Sequence, residues 1–235
     1  MTDTAEFVSI HRMTPKVKQF QLKLIDSSWD FKPGQHTVIH FDRDGKQVNR
    51  PYTPTSLPFN SGKEFTLAIK RYGDGNASLY MHNREVGDNI EVEEPHGNLY
   101  LRNFDRDVVF VSTGTGITPM VTMLKHYIKE GRGKAYFFYG EKTQENIMYR
   151  ETLDQLEAEN KDLKVYYSLS DEEWKGMEGH IQEYIPKKLE RFGEKDFYVC
   201  GVPQMVVQTE ELLKEKGVEP GRVFTEGWER DAVED

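Results

Sequence analysis

The first hundred residues alternate apolar and polar side chains over short stretches. In residues 6–13 and 17–25, apolar side chains recur at nearly every second position, which is typical of strands with one buried face. Further strands are predicted at residues 36–41, 64–72 and 86–101, and one short helix at residues 77–83. Because turn-forming residues separate these segments, the pattern predicts an antiparallel barrel or sandwich.

The pattern changes after about residue 107, where compact apolar strands begin to alternate with amphipathic segments. Residues 108–112 and 134–140 are apolar without alternation, as expected for strands covered on both faces. Later strands are predicted at residues 163–170, 196–201 and 222–227, and helices around residues 120–128, 145–160, 179–190 and 203–217. Alternating strands and helices indicate a parallel sheet. We therefore predict two domains: an antiparallel β-barrel over residues 1–104, and an α/β parallel-sheet domain with an acidic tail over residues 105–235.

The composition and charge argue against several classes of function and site. A formal net charge of −9 argues against nucleic acid as the main partner, because phosphates would be repelled. The single cysteine, Cys200, excludes an internal disulfide and a cysteine-ligated iron–sulfur cluster, which favours a reducing, cytoplasmic setting. No stretch approaches the ~20 apolar residues of a membrane span. No metal site is predicted, since His36 and His40 have no third ligand near them in the sequence.

Two segments have unusual local chemistry. Residues 50–53, Arg-Pro-Tyr-Thr, place a cation, an aromatic ring and a hydroxyl within four positions. Residues 108–120 read as a strand, a turn with Gly114 and Gly116, and a helix, so backbone N–H groups would face a phosphate there. That turn is also consistent with simple chain geometry.

A second turn of this kind follows residues 196–200. In a parallel sheet both turns lie at the carboxyl ends of strands, where ligands bind. Cys200 would lie at this edge, although a lone cysteine there is also a common small apolar filler.

Five motifs in order resemble the ferredoxin–NADP reductase and cytochrome b5 reductase type of flavoenzyme. They are RPYT at 50–53, GNAS at 75–78, VGDNIEVEEPHGN at 86–98, GTGITPM at 114–120 and CGVPQM at 200–205. The resemblance covers nearly the whole chain. It implies that the barrel binds FAD and that the second domain binds NADH or NADPH.

The resemblance assigns roles to residues of the barrel. Arg50 would pair with the FAD pyrophosphate, Tyr52 would lie against the isoalloxazine, and Thr53 would hydrogen-bond near flavin N5. The other implied FAD contacts are Pro51, Ile69, Lys70, Arg71, Gly75, Asn76, Ala77 and Ser78. An alternative role for Asn76 is to cap the short helix.

The resemblance also assigns roles in the second domain. Gly114, Thr115 and Gly116 would cradle the nucleotide pyrophosphate, Thr118 would lie near the nicotinamide, and Gly201, Pro203 and Met205 would shape the groove. Cys200 would lie beside the nicotinamide in a positional role.

At the C-terminus, Trp228 would shield the flavin and Glu226 would lie near the edge of its ring. Seven residues follow Trp228, which departs from the family pattern, and packing on a domain seam is an alternative for this side chain.

The implied reaction is hydride transfer from nicotinamide to flavin N5, with electrons passing to a separate acceptor, either a ferredoxin, flavodoxin or cytochrome or a small molecule. Two features favour NADH over NADPH: the acidic residue Glu141, and the lack of an arginine after the second or third parallel strand. Lys142 and Lys175 argue for NADPH. The alternative is a catalytically silent subunit with the same fold. A monomer is expected.

Overall fold

The computed structural model describes residues 2–43, 45–73 and 75–226, and the chain divides into two compact units, residues 1–100 and 101–235. The first unit has six strands: β1 (Thr2–Thr14), β2 (Val17–Leu24), β3 (Thr37–Arg43), β4 (Lys46–Tyr52), β5 (Glu64–Lys70) and β6 (Asn89–Glu93). One helix, α1 (Asn76–His82), lies between β5 and β6.

The six strands form one antiparallel sheet in the order β4-β3-β6-β1-β2-β5. The chain just after β4 returns to β5, where Pro54 bridges Leu67 and the Thr55 N–H donates to the Thr66 carbonyl at 2.8 Å. This contact joins the two ends of the sheet. The predicted antiparallel barrel is therefore confirmed.

The core of the barrel follows from the alternation in the sequence. Phe20, Leu22 and Leu24 occupy every second position of β2 and are fully buried. The alternation in β1 is imperfect because the register with β2 shifts between Phe7 and Ser9. Such a bulge moves the inward-facing position by one residue.

Two expectations for the barrel differ from the structure. Strand β4 was not predicted, because it is mostly polar and contains Pro51. It ends the hydrogen-bonded order of the sheet, and a proline is tolerated at such a position. The strand predicted at residues 86–101 extends only over β6. Pro95 lacks an N–H and Gly97 has a φ of +114°, so the ladder ends.

The second unit has strands β7 (Val108–Thr113), β8 (Ala135–Glu141), β9 (Leu163–Leu169), β10 (Met177–Glu178), β11 (Asp196–Cys200) and β12 (Val223–Glu226). Its helices are α2 (Ile117–Glu130), α3 (Arg150–Glu159), α4 (Ile185–Lys188) and α5 (Pro203–Glu215). The strands form one parallel sheet in the order β10-β9-β8-β7-β11-β12. The predicted α/β architecture is confirmed, and the central strand β7 is buried almost throughout.

Two predicted helices of this unit are shorter in the structure. The helix expected at residues 145–160 begins only at Arg150, because Tyr149 has a left-handed φ of 56°. The segment 179–190 forms a short 3-10 turn followed by the four-residue helix α4. None of the helices in the described ranges is long and apolar enough to cross a membrane.

Candidate functional site

Arg50 and Tyr52 lie on the same face of β4. The register pairs Arg50 with Ile39 and Tyr52 with Thr37, and both partners are buried in the barrel. Directly paired residues of an antiparallel ladder point to the same side of the sheet. The cation and the ring of residues 50–53 therefore face the same side, with Tyr52 packed against the core and Arg50 exposed.

Tyr52 lies in an electrostatic neighbourhood shared with two other side chains. Burial raises the pKa of the Tyr52 hydroxyl, the charge of Arg50 opposes that rise, and the nearby Tyr72 adds to it. Tyr72 follows β5 and was not predicted as a site residue. The sequence feature that could have identified it is an aromatic residue directly after Lys70 and Arg71. The structure shows that this residue is exposed.

The Arg50 guanidinium keeps donors available for a ligand. Its Nη1 donates to the carbonyl of the neighbouring Asn49 at 2.9 Å. No carboxylate among the described residues lies within ion-pair distance of it. An arginine fork with free donors beside an aromatic ring fits a diphosphate attached to a flat ring system, as in FAD.

The turn before α1 is held by Ser78. Its hydroxyl accepts the Tyr72 N–H at 3.1 Å and donates to the Gly75 carbonyl at 3.1 Å. A β-carbon on Gly75 would lie 2.5 Å from the Ser78 Oγ, so alanine there would displace this hydroxyl from its hydrogen bonds. The Ser78 hydroxyl therefore orders the turn itself.

The remaining residues assigned to FAD surround this turn. Gly75 holds the N-cap position without a side-chain cap, and the Asn76 amide oxygen accepts a hydrogen bond from Arg43, so the structure does not show Asn76 as the cap.

The other residues assigned to FAD differ in exposure. Ala77 and Ile69 are buried. The side chains of Pro51, Thr53 and Lys70 are half-buried, and that of Arg71 is exposed. The role of Thr53 near flavin N5 stays a prediction.

The second unit has a candidate site of its own, where the order of the parallel sheet reverses. β8, β9 and β10 extend from one side of β7, and β11 and β12 from the other. Ligands of such sheets bind beyond the carboxyl ends of the strands at this switch point. The turns after β7 and β11, which contain Gly114, Gly116, Cys200 and Gly201, both lie there.

The turn after β7 and the turn after β11 pack closely against each other because each has a glycine at the contact. A β-carbon on Gly116 would lie 2.1 Å from the Cys200 carbonyl oxygen, and one on Gly201 would lie 2.2 Å from the Thr113 Oγ1. The Val202 N–H donates to the same Thr113 oxygen at 3.0 Å. Gly116 therefore makes room for the neighbouring turn. Its role in cradling the nucleotide stays a prediction.

Gly114 has a different role from Gly116. Its φ of +55° is left-handed, and nothing lies within 4 Å of the place where its β-carbon would be. The open side of this turn is therefore suited to a phosphate. Thr115 is half-buried beside it, and the Thr118 hydroxyl donates to the Thr115 carbonyl at 2.9 Å, which ties the turn to the first turn of α2.

The turn after β11 is shaped by its own residues. Cys200 is buried, and Met205 is buried with its methyl group against Gly201. Pro203 begins α5, where its missing N–H is no loss. In the parallel register, Glu226 at the end of β12 lies opposite Cys200. The residue assigned to the edge of the flavin ring and the residue assigned to the nicotinamide are therefore neighbours. Trp228 lies outside the described residues.

Tyr139 joins the glycine turn to an acidic residue. Its buried hydroxyl shares its proton between the Gly114 carbonyl at 3.2 Å and the Glu141 carboxylate at 3.1 Å. Burial, followed by the charge of Glu141, raises the pKa of Tyr139 well above its ordinary value. The Glu141 side chain is thus directed toward the turn that would hold the nucleotide.

The rim beyond β8 and β9 is mainly acidic. The Ser170 hydroxyl and the Lys142 ammonium group lower the pKa of Asp171, and the Lys142 Nζ lies 3.5 Å from that carboxylate. Gln144 donates its backbone N–H and its side-chain amide to Glu172, which lowers the pKa of that carboxyl. Lys142, the cation nearest this rim in sequence, is therefore already paired with an acid.

Two protein-family models match the chain. The oxidoreductase FAD-binding domain matches residues 4–100, and the oxidoreductase NAD-binding domain matches residues 110–211. The first covers the barrel with Arg50 and Tyr52, and the second covers both closely packed turns.

The chain is also similar to curated proteins along most of its length. It is 32% identical over 212 residues to NADH-cytochrome b5 reductase 1 of Candida glabrata, covering 86% of this chain and 74% of that protein. It is 28% identical over 238 residues to ferredoxin–NADP reductase B of Sorangium cellulosum, covering 96% and 97%.

Solved structures share the fold. The flavohem-like FAD/NAD-binding domain of a nitric oxide dioxygenase from Vibrio cholerae superposes with a TM-score of 0.87 at 25% identity, covering 95% of this chain and 97% of that one. A ferredoxin–NADP⁺ reductase from Neisseria gonorrhoeae, solved with FAD and NADP, superposes with a TM-score of 0.82 at 20% identity, covering 96% and 98%.

Proposed function

Because the chain belongs to the ferredoxin–NADP reductase and cytochrome b5 reductase family, it is an FAD- and NAD(P)H-dependent oxidoreductase, and we propose that it oxidises NADH and delivers the electrons to a separate acceptor. The family resemblance inferred from the sequence motifs is confirmed. The observation that carries the proposal is the pair of closely packed turns at the switch point, with open space where a β-carbon on Gly114 would be.

Bound FAD supplies the redox chemistry, because a flavin accepts a hydride and releases electrons one at a time. The chain supplies binding and orientation. Arg50 offers charged donors to the diphosphate, and Tyr52 offers a ring face and excludes water from one side of the cofactor. The turns at Gly114 and Gly201 hold the nicotinamide nucleotide, and Cys200 sets its position with a small side chain.

The preference for NADH rests on Glu141. NADPH differs from NADH by a phosphate on the adenosine ribose, and a carboxylate directed toward the nucleotide turn repels that dianion while it accepts hydrogen bonds from a free hydroxyl. Tyr139 holds Glu141 in that direction, and Asp171 neutralises Lys142. Lys175 remains a cation of the same loop, opposed by the acidic residues beside it.

The acceptor is proposed to be a separate protein or small molecule. These 235 residues contain one cysteine and therefore no cysteine-ligated cluster, which supports an acceptor outside this chain. The names of the relatives refer to cytochrome b5 and ferredoxin as partners of those proteins. We place the enzyme in a reducing compartment such as the cytoplasm.

The test is anaerobic stopped-flow reduction of the FAD-loaded protein by NADH and by NADPH. Loss of the visible flavin absorbance should be at least about tenfold more efficient with NADH at sub-saturating concentrations, as expected for about 1.4 kcal/mol of discrimination. Faster reduction by NADPH would overturn the cofactor preference. Failure to bind FAD, or failure of both nucleotides to reduce it, would overturn the function.

A further inference from the structure

Thr113 is the last residue of β7, and its side chain is held from two sides. On one side, a β-carbon on Gly140 of β8 would lie 3.1 Å from the Thr113 Cγ2. On the other side, a β-carbon on Gly201 would lie 2.2 Å from the Thr113 Oγ1. The methyl group therefore faces β8 and the hydroxyl faces the turn after β11, so the packing selects one rotamer of this side chain.

The Thr113 hydroxyl does not cap the turn that follows it. Thr113 occupies the N-cap position of the 3-10 turn Gly114–Gly116, with an extended backbone and no side-chain cap hydrogen bond. A threonine at such a position usually accepts an N–H of the helix that it precedes. Here its oxygen accepts the N–H of Val202 at 3.0 Å, 89 positions later in the chain. The hydroxyl therefore bonds to the neighbouring turn in place of its own.

This hydrogen bond reaches the main chain of the segment that carries Cys200 and Gly201. Val202 directly follows these two residues and is the N-cap of α5. Because the donor is a backbone N–H, the hydroxyl holds the path of the chain at this turn and not the end of a flexible side chain.

The turns after β7 and β11 are held together at two points. The ladder between the two strands ends at the pair of Ser112 with Cys200. Beyond that pair, the backbone contact at Gly116 is the first point, and the hydrogen bond from Thr113 to Val202 is the second. One point of contact would let the turns rotate about it, whereas two points fix the orientation of one turn relative to the other.

The orientation of these turns matters for the reaction, because we place the nicotinamide nucleotide there. Hydride transfer depends steeply on alignment, and a misplacement of about 1 Å can slow a reaction by about 100-fold. A shift of Val202 would move Gly201 and Cys200, which are its neighbours in the chain. The Thr113 hydroxyl is therefore able to control the alignment of the nicotinamide from outside the nucleotide.

We propose that Thr113 is a positioning residue for hydride transfer, which acts through the main chain at Val202; this inference rests on the proposed function. In the reaction, the C4–H bond of NADH breaks and the hydrogen leaves with its electron pair, so that NADH is oxidised to NAD⁺ while FAD is reduced. The turn at Gly114 contributes to nucleotide binding independently of Val202. Loss of the Thr113 hydroxyl therefore slows the transfer more than it weakens binding.

The test is anaerobic stopped-flow reduction of the FAD-loaded full chain over a range of NADH concentrations. The variant Thr113→Val keeps the shape of the side chain and removes the hydrogen-bond acceptor. Its limiting rate of flavin reduction should fall by about tenfold, while the Kd for NADH should rise by less than about threefold. With NADH deuterated at both C4 positions, its isotope effect should be at least as large as that of wild type, because the hydride step is the one that has slowed.

Two further variants separate positioning from folding. Thr113→Ser keeps the oxygen that accepts the Val202 N–H and should retain most of the wild-type limiting rate. Thr14→Val is the matched control, because the Thr14 Oγ1 accepts the Val17 N–H at 3.1 Å, which is the same kind of hydrogen bond in the first unit. Thr14→Val should keep the wild-type limiting rate even where urea unfolding shows that it has lost stability.

A hydride donor without a nucleotide provides a second control. The donor 1-benzyl-1,4-dihydronicotinamide lacks the pyrophosphate and the adenosine that we place at the two turns. It should therefore reduce the flavin of Thr113→Val and of wild type at the same rate.

Four results would overturn the inference. They are an unchanged limiting rate in Thr113→Val, a rise in the Kd for NADH without a fall in that rate, equal rate losses in Thr113→Val and either Thr113→Ser or Thr14→Val, and an equal slowing with the benzyl donor. The second of these would indicate that the hydroxyl contacts the nucleotide directly. A wild-type flavin that NADH does not reduce would instead contradict the proposed function.

Discussion

Gly116 packs so closely against Cys200 that a β-carbon on the glycine would lie 2.1 Å from the cysteine carbonyl oxygen. Because the obstacle is backbone, no side-chain rearrangement relieves it. This contact fixes the turn after β7 against the turn after β11, the two turns that we propose hold the nucleotide.

The variant Gly116→Ala should separate the two turns. We expect a loss of about 1–3 kcal/mol in the free energy of unfolding, as for overpacking of a tight contact, and a rise in the KM for NADH. Gly114→Ala is the matched control, since that position meets no atom and only its left-handed φ resists alanine, at about 1 kcal/mol. Urea unfolding and steady-state kinetics measure both effects. Equal stability losses in the two variants would contradict the packing argument.

Arg50→Ala should weaken FAD binding by about 10–100-fold, because charged hydrogen bonds to a ligand contribute about 1.5–3 kcal/mol. Arg50→Lys should retain part of the affinity, since a point charge replaces a planar fork. Lys46→Ala, at the exposed start of the same strand, controls for the loss of one charge. Titration of the apoprotein with FAD, followed by flavin fluorescence, gives the affinities. Unchanged affinity in Arg50→Ala would remove this residue from the site.

The fold class could be predicted from the sequence because the hydrophobic patterns of the two halves of the chain differ strongly. Alternation in β2 and uninterrupted apolar runs in β7 each match one kind of sheet. β4 escaped prediction because an edge strand needs little apolar surface. The left-handed Tyr149 was also invisible, since nothing in its local sequence demands that conformation.

The candidate site was only partly predictable. The glycines were found from the pattern of strand, turn and helix, but the space beside Gly116 is filled by the backbone of Cys200, which lies 84 positions later in the chain. Contacts that depend on tertiary register leave no local signal.

Glu141→Gln should raise the kcat/KM for NADPH relative to that for NADH by about tenfold, because a neutral amide no longer repels the extra phosphate. Tyr139→Phe should shift the ratio in the same direction by a smaller factor, since it removes the hydroxyl that orients Glu141 without removing the charge. Glu151→Gln, an exposed acid at the start of α3, is the control. The ratio of the two kcat/KM values is the measurement, and a ratio unaffected by Glu141→Gln would exclude this residue as a determinant.

His82 is partly buried, and from this burial we predict that the stability of the protein depends on pH. Its Nε2 lies 2.8 Å from the Ile69 carbonyl, and its ring packs edge-on against Phe20 with centroids 6.0 Å apart. Burial lowers the pKa of His82, and the positive charges of Lys18, Arg71 and Arg12 lower it further. The folded state therefore binds a proton less readily than the unfolded chain, in which histidine titrates near ~6.5.

The sign of the pH dependence of stability follows from this difference in proton binding between the folded and unfolded states. Where the unfolded chain binds more protons, the free energy of unfolding rises with pH. The contribution of His82 is therefore complete above about pH 6.5 and is lost as the pH falls below that value. We expect wild type to lose stability between pH 7.5 and 5.5, and His82→Gln, which keeps an N–H donor for Ile69, to lose less over the same interval. His11→Gln removes an exposed histidine of the same sheet and should leave the wild-type slope. Urea unfolding at the two pH values gives the comparison, and a slope in His82→Gln equal to that of wild type would show that His82 does not cause it.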